Sequence, residues 1–140
     1  MARGIPADLL ERLAKVPLFS GCSKKELRQI ASLGTSLRVG PGTELTRQGD
    51  PGSEFIMIVD GHARCVKNGR TVDRFGPGDF FGELALITRH PRNATVVTEG
   101  EATVRVFDRR EFTTLLDDAP GIARKLLVVL AARQAPTNRS

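Results

Sequence analysis

Between Thr35 and Phe107 the chain is cut at short intervals by turn-forming clusters: VGPG, QGDPGS, VDGH, KNGR and FGPGDF. Nothing else in the sequence constrains the fold as tightly. Breaks about every eight to twelve residues leave room only for short strands, and apolar residues between them recur with a period of two. A sandwich or barrel of antiparallel strands satisfies both conditions. Asn68-Gly69 is the sharpest local signal. It sits between HARCVK and RTVDRF, where a type I′ turn requires positive φ at both central positions.

The flanks change period. Residues 6–15 read as a helix with Leu9, Leu10, Leu13 and Val16 on one face, stopped by Pro17, after which PLFSGC is a connector. Ser23 and Glu26 have capping-box spacing and open a second helix with Leu27, Ile30 and Leu33 inward, and Gly34 ends it. Asp108 and Glu111 repeat the box for EFTTLLDD. Pro120 then begins a longer helix with Ile122, Leu126, Val129 and Leu130 on one stripe and Leu127 beside it. The predicted fold class is mainly β with flanking helices (α+β), an antiparallel β-roll of the double-stranded jelly-roll type.

With 140 residues, 40% hydrophobic and 26% charged, the chain suits one globular domain with its own core. No apolar run approaches a membrane span, and the N-terminal stretch lacks the unbroken apolar segment of a signal peptide, so a cytoplasmic location is expected. Cys22 and Cys65 have no Cys-x-x-Cys spacing and read as two free thiols. The net charge of +5 is scattered rather than gathered into a tract, and with no tyrosine or tryptophan there is no aromatic ladder. A nucleic-acid partner is not expected. Nor is catalysis: only His62 and His90 are available as imidazole ligands, without a His-x-His pair, and no nucleophile motif or phosphate loop is present. No metal and no cofactor are predicted. No recognition helix fits after the last helix, so a DNA-reading output is not expected either.

One segment breaks the strand pattern. In FFGELALITRHPRNATVV, the run GELALI reads as about one helical turn, with Glu83 nine residues before Arg92. A helix start at Gly82 directs unsatisfied N–H groups and a partial positive charge at whatever lies before it. Arg92 offers a planar guanidinium suited to a phosphate. Glu83 would repel an anion, but it can accept hydrogen bonds from hydroxyl groups such as those of a ribose. Small residues beside Arg92 permit close backbone approach. The set fits a phosphate joined to a sugar hydroxyl. Spacing alone equally allows Glu83 and Arg92 to pair with each other as surface charges.

The pattern F-G-E-L-A-L-I-x-x-x-P-R-x-A-T-V closely resembles the phosphate-binding cassette of the cyclic nucleotide-binding domain family. GDPGSEFIMIVDG and GPGDFFGE resemble that family's glycine-marked strand pair and the approach to its cassette. The likeness runs from about Val16 to Ala132. It implies one domain over 1–140: helices in 1–34, a β-roll in 35–107 with the cassette at 81–96, helices in 108–134 and a frayed tail at 135–140. It further implies that Glu83 receives the ribose 2′-hydroxyl, that Arg92 binds the exocyclic phosphate oxygens, and that backbone around Gly82, Leu84, Ala85 and Ala94 completes the cradle. Leu126, Leu127 or Leu130 of the last helix would cover the base. The expected ligand is a cyclic nucleotide, with occupancy relayed through the terminal helices to a protein effector or an output domain. Asn93 departs from the family. Cyclic GMP binders usually carry threonine or serine there, and cyclic AMP binders of the kinase regulatory type often carry alanine. Cyclic AMP is favoured; a cyclic GMP sensor and a roll that binds no nucleotide are the alternatives.

Overall fold

A computed structural model describes residues 7–82 and 91–134. Among the described residues, two antiparallel four-stranded sheets form the roll. One has the order β1 (Thr35–Val39), β8 (Ala102–Asp108), β3 (Glu54–Asp60), β6 (Phe80–Phe81). The other runs β2 (Glu44–Thr46), β7 (Thr95–Thr98), β4 (Ala63–Lys67), β5 (Arg70–Phe75). The β4–β5 hairpin turns at Asn68 and Gly69 with φ of 52° and 81°, the positive pair its sequence demands.

The helices are α1 (Ala7–Ala14), α2 (Lys24–Ser32), α3 (Arg109–Asp118) and α4 (Pro120–Gln134) among the described residues. Both capping boxes form. At α2, Glu26 N donates to Ser23 Oγ at 3.0 Å and Ser23 N to Glu26 Oε1 at 2.8 Å. At α3, Glu111 N donates to Asp108 Oδ1 at 2.8 Å and Asp108 N to Glu111 Oε1 at 3.0 Å.

The expected connector after α1 is instead a 3₁₀ turn, Pro17–Phe19, whose Leu18 and Phe19 are buried in the core. The Pro-Leu-Phe triplet explains the correction. Proline fixes the first φ, and two large apolar side chains next to a helical layer gain more from burial than from spanning a gap.

Two apolar compartments share the first sheet as a wall. On one side Phe55, Met57, Phe80 and Phe107 pack against the helices, together with Leu13, Phe19, Ile30, Phe112, Leu115 and Ile122. Phe55 is the hub: its ring centroid lies 4.9 Å from that of Phe112, 5.4 Å from Phe80 and 5.7 Å from Phe107. On the other side Ile56, Ile58, Phe81 and Val104 meet Ala63 and Val96 of the second sheet. Hence β3 is buried on both faces, and its FIMIV run is unbroken rather than alternating.

Arg105 belongs to the helix-facing side of β8. It is buried, yet donates to the carbonyls of Ala31 and Leu33 and to Ser36 Oγ. The guanidinium thus supplies donors to the last carbonyls of α2. Burial lowers its pKa from the ordinary arginine value, with the nearby Glu111 opposing. Glu111 in turn accepts from Gly34 N at 2.9 Å, joining the end of α2 to the start of α3. Helix α4 packs on α3 and on the 3₁₀ turn, where Lys125 donates to the carbonyl and hydroxyl of Ser20. Cys22 and Cys65 are not joined by a disulfide, and both are partly buried. No described helix is long and apolar enough to cross a membrane.

Candidate functional site

The site region is assembled from the end of β6, the segment leading into β7, and the turn between β2 and β3. Glu83, Leu84, Ala85, His90 and the GELALI turn lie outside the described residues, so their predicted roles pass to the proposal below. Gly82, Arg92, Asn93 and Ala94 are described.

Arg92 is 9% exposed despite its charge. A buried guanidinium requires acceptors, and the backbone supplies them. Nη2 donates to the Glu54 carbonyl at 2.9 Å and Nη1 approaches the Gly82 carbonyl at 3.4 Å. The head of the side chain therefore bridges the start of β3 and the end of β6. Its main chain is fixed as well: Arg92 N donates to Asp50 O, and Gly49 N to Arg92 O, each at 2.8 Å. Gly82 has φ of 97°. A Cβ there would collide with the Glu54 carbonyl oxygen and stand 2.7 Å from Arg92 Nη1. Glycine is required at 82 because φ is left-handed and the Glu54 carbonyl oxygen stands where a Cβ would go, with the Arg92 guanidinium next to it.

Ala94 is buried and Asn93 exposed. The Ala94 carbonyl accepts from Thr46 Oγ1 at 3.1 Å, the same hydroxyl that accepts from Val96 N at 3.1 Å. Gln48 N donates to Thr95 Oγ1 at 2.9 Å. The turn after β2 thus grips residues 92–96 along their length. Sequence reading took QGDPGS as punctuation and as part of a glycine-marked strand pair, and did not place the turn beside Arg92. Its contacts are mostly main chain, and only the pairing of β2 with β7 brings them beside Arg92.

The candidate lid residues separate. Leu126 is 3% exposed and packs in the helix-side core. Leu127 lies one position on and is 67% exposed. The side chain of Leu130 lies outside the described residues. His62 is exposed, as its turn position suggests.

The profile of the family described as cyclic nucleotide-binding domain matches residues 36–119. A cAMP-dependent protein kinase regulatory subunit from Schizosaccharomyces pombe is 39% identical over 113 residues, covering 80% of this chain but only 27% of the relative. The chain therefore spans about a quarter of that relative's length. Among solved structures, the regulatory domain of Toxoplasma gondii PKA, described as a co-crystal with cAMP, superposes with a TM-score of 0.77 at 29% identity, covering 90% of this chain and 49% of that one. A regulatory subunit of a cAMP-independent protein kinase A from Trypanosoma brucei gives a TM-score of 0.76 at 27% identity, covering 85% and 44%. With the two-sheet roll, the capped helices and a buried arginine beside a left-handed glycine at the end of β6, these matches establish that the chain belongs to the cyclic nucleotide-binding domain family.

Proposed function

We propose that the chain binds cyclic AMP and serves as a regulatory module, passing occupancy through its terminal helices to a protein effector without catalysing a reaction itself. The supporting observation is Arg92: a buried cation held by main-chain carbonyls rather than spread on the surface. A cyclic phosphodiester carries one negative charge in a fixed shape, which suits one immobilised guanidinium and surrounding amides. In this reading Arg92 binds the exocyclic phosphate oxygens and Glu83 the ribose 2′-hydroxyl. Backbone near Gly82, Leu84, Ala85 and Ala94 completes the cradle, and Asn93, exposed beside it, faces the choice between purines. The base cover is Leu127 or Leu130, or Leu126 after α4 moves. The partner class suggested by the curated relatives is a kinase catalytic subunit.

A second reading is favoured by the Trypanosoma brucei neighbour, whose kinase is described as cAMP-independent. There the roll would survive as an interaction module without the nucleotide. The presence of both Glu83 and Arg92 supports the first reading. Titration calorimetry decides between them. Cyclic AMP should bind at micromolar affinity or better, and linear 5′-AMP, with its second charge and unconstrained phosphate, far more weakly. Equal affinity for the two, or heat from neither, overturns the proposal, and stronger binding of cyclic GMP would reassign the ligand.

A further inference from the structure

The turn that grips Arg92 is a poor anchor by itself. Residues 47–53, RQGDPGS, contain two glycines and a proline and lie outside both helix and strand, and the Arg47–Glu44 ion pair is local to the turn and exposed. Yet Gly49 and Asp50 of this turn make both main-chain bonds to Arg92. Whatever immobilises the turn also immobilises the arginine. Gln48 has the right bonds. Its Nε2 donates to Asn68 Oδ1 at 2.8 Å and its Oε1 accepts from Asn68 N at 3.0 Å, while its own backbone N–H donates to Thr95 Oγ1. Arg47 only bonds back to Glu44 of β2, whereas the Gln48 side chain ties the turn to the β4–β5 hairpin. Its partner is rigid for a local reason: Asn68 occupies the left-handed region at the tip of a two-residue hairpin, so its amide and backbone N–H leave the strands in a set direction.

We propose that Gln48 is a positioning residue for Arg92. Its amide clamps the arginine-bearing turn to the tip of the β4–β5 hairpin, so that the guanidinium is held in place before a cyclic phosphate arrives. The inference rests on the reading of Arg92 as the phosphate ligand. A pair of solvent-exposed hydrogen bonds of this kind is worth a modest amount, so Gln48→Ala should weaken cyclic AMP binding by about 3- to 10-fold. Because the effect is routed through one side chain, it should vanish where that side chain is already impaired.

The test is calorimetry on the whole chain in four forms: wild type, Gln48→Ala, Arg92→Lys and the double variant. The probes are cyclic AMP and its two phosphorothioate diastereomers, in which sulfur replaces one or the other exocyclic oxygen. Asn68→Gly, which keeps the positive φ and the backbone N–H but removes the Oδ1 acceptor, cuts one of the two bonds from the other side and carries the test, with a smaller expected loss, if Gln48→Ala folds poorly. The expected result is weaker binding by Gln48→Ala and Asn68→Gly, no further loss in the double variant beyond Arg92→Lys, and a diastereomer preference that moves toward unity. A purely structural Gln48 would lower the melting temperature and leave that preference unchanged, which overturns the proposal. So does an equal loss in the Arg92→Lys background, or wild-type affinity in Gln48→Ala. A wild-type chain that binds no cyclic AMP removes the ligand reading and the positioning role together, an outcome distinct from a binder indifferent to Gln48.

Discussion

Arg92, Gly82 and the Glu54 carbonyl form one unit, since a Cβ at 82 would meet both the carbonyl oxygen and the guanidinium. Two predictions follow from that fit. Gly82→Ala must place a side chain at a φ of 97° against the Glu54 carbonyl, so it should cost about 1–3 kcal/mol of stability in a denaturant titration. It should also weaken cyclic AMP binding, because Arg92 has to move. Unchanged stability and affinity would show that the pocket yields freely. Arg92→Ala should cost about 2–5 kcal/mol of binding, as when one partner of a buried charge contact is deleted, or on the order of 30- to several-thousand-fold in the dissociation constant. Unaltered binding would leave Arg92 a structural role and remove it from the phosphate site. The candidates at 82 and 92–94 came from the likeness of FGELALI and PRNATV to a family cassette, since the residues alone left a surface ion pair between Glu83 and Arg92 equally open. What holds Arg92 was not legible, because main-chain acceptors on Glu54 and Gly82 leave no mark in side-chain chemistry.

Among the elements, α2 depends on a residue from a different layer. Arg105 provides donors to carbonyls at the end of α2 that the helix cannot satisfy itself. Arg105→Ala should therefore lower stability by about 2–3 kcal/mol, seen as a shifted urea midpoint at constant slope. Arg105→Lys should recover only part of this, since one ammonium cannot reach Ala31, Leu33 and Ser36 together. Full recovery by lysine would mean that charge, not the guanidinium fork, is what α2 needs. The helices themselves were readable from local chemistry: serine or aspartate three residues before glutamate, and apolar residues at helical spacing. Arg105 was not, because TVRVF reads as an ordinary alternating strand. Only the docking of α2 against β8 turns the arginine's position from outward to inward. The unbroken FIMIV run was similarly ambiguous until helices on one side and a second sheet on the other gave both faces a partner.

At the level of the whole molecule, the proposed relay depends on how α4 is seated. Helix α4 is fastened through Lys125 to Ser20, just after the 3₁₀ turn, and seats Ile122 and Leu126 in the core beneath β3. A ligand shifts α4 only if it favours one seating over another. Cyclic AMP should therefore slow amide exchange in residues 81–96 and also in 121–134; protection confined to the first segment would make the chain a binder without that relay. Saturation at about 100 times the dissociation constant should add about 2.7 kcal/mol to unfolding. The central place of β8 has a further consequence, for synthesis rather than signalling. It joins β1 on one side and β3 on the other, with Thr35 opposite Val106 and Glu54 opposite Asp108. Separations of roughly 50–70 positions make this sheet slow to form. A growing chain thus has two waiting strands and no ladder between them until residue 108 has cleared the ribosome, and the apolar FIMIV strand is the segment most in need of shelter during that delay.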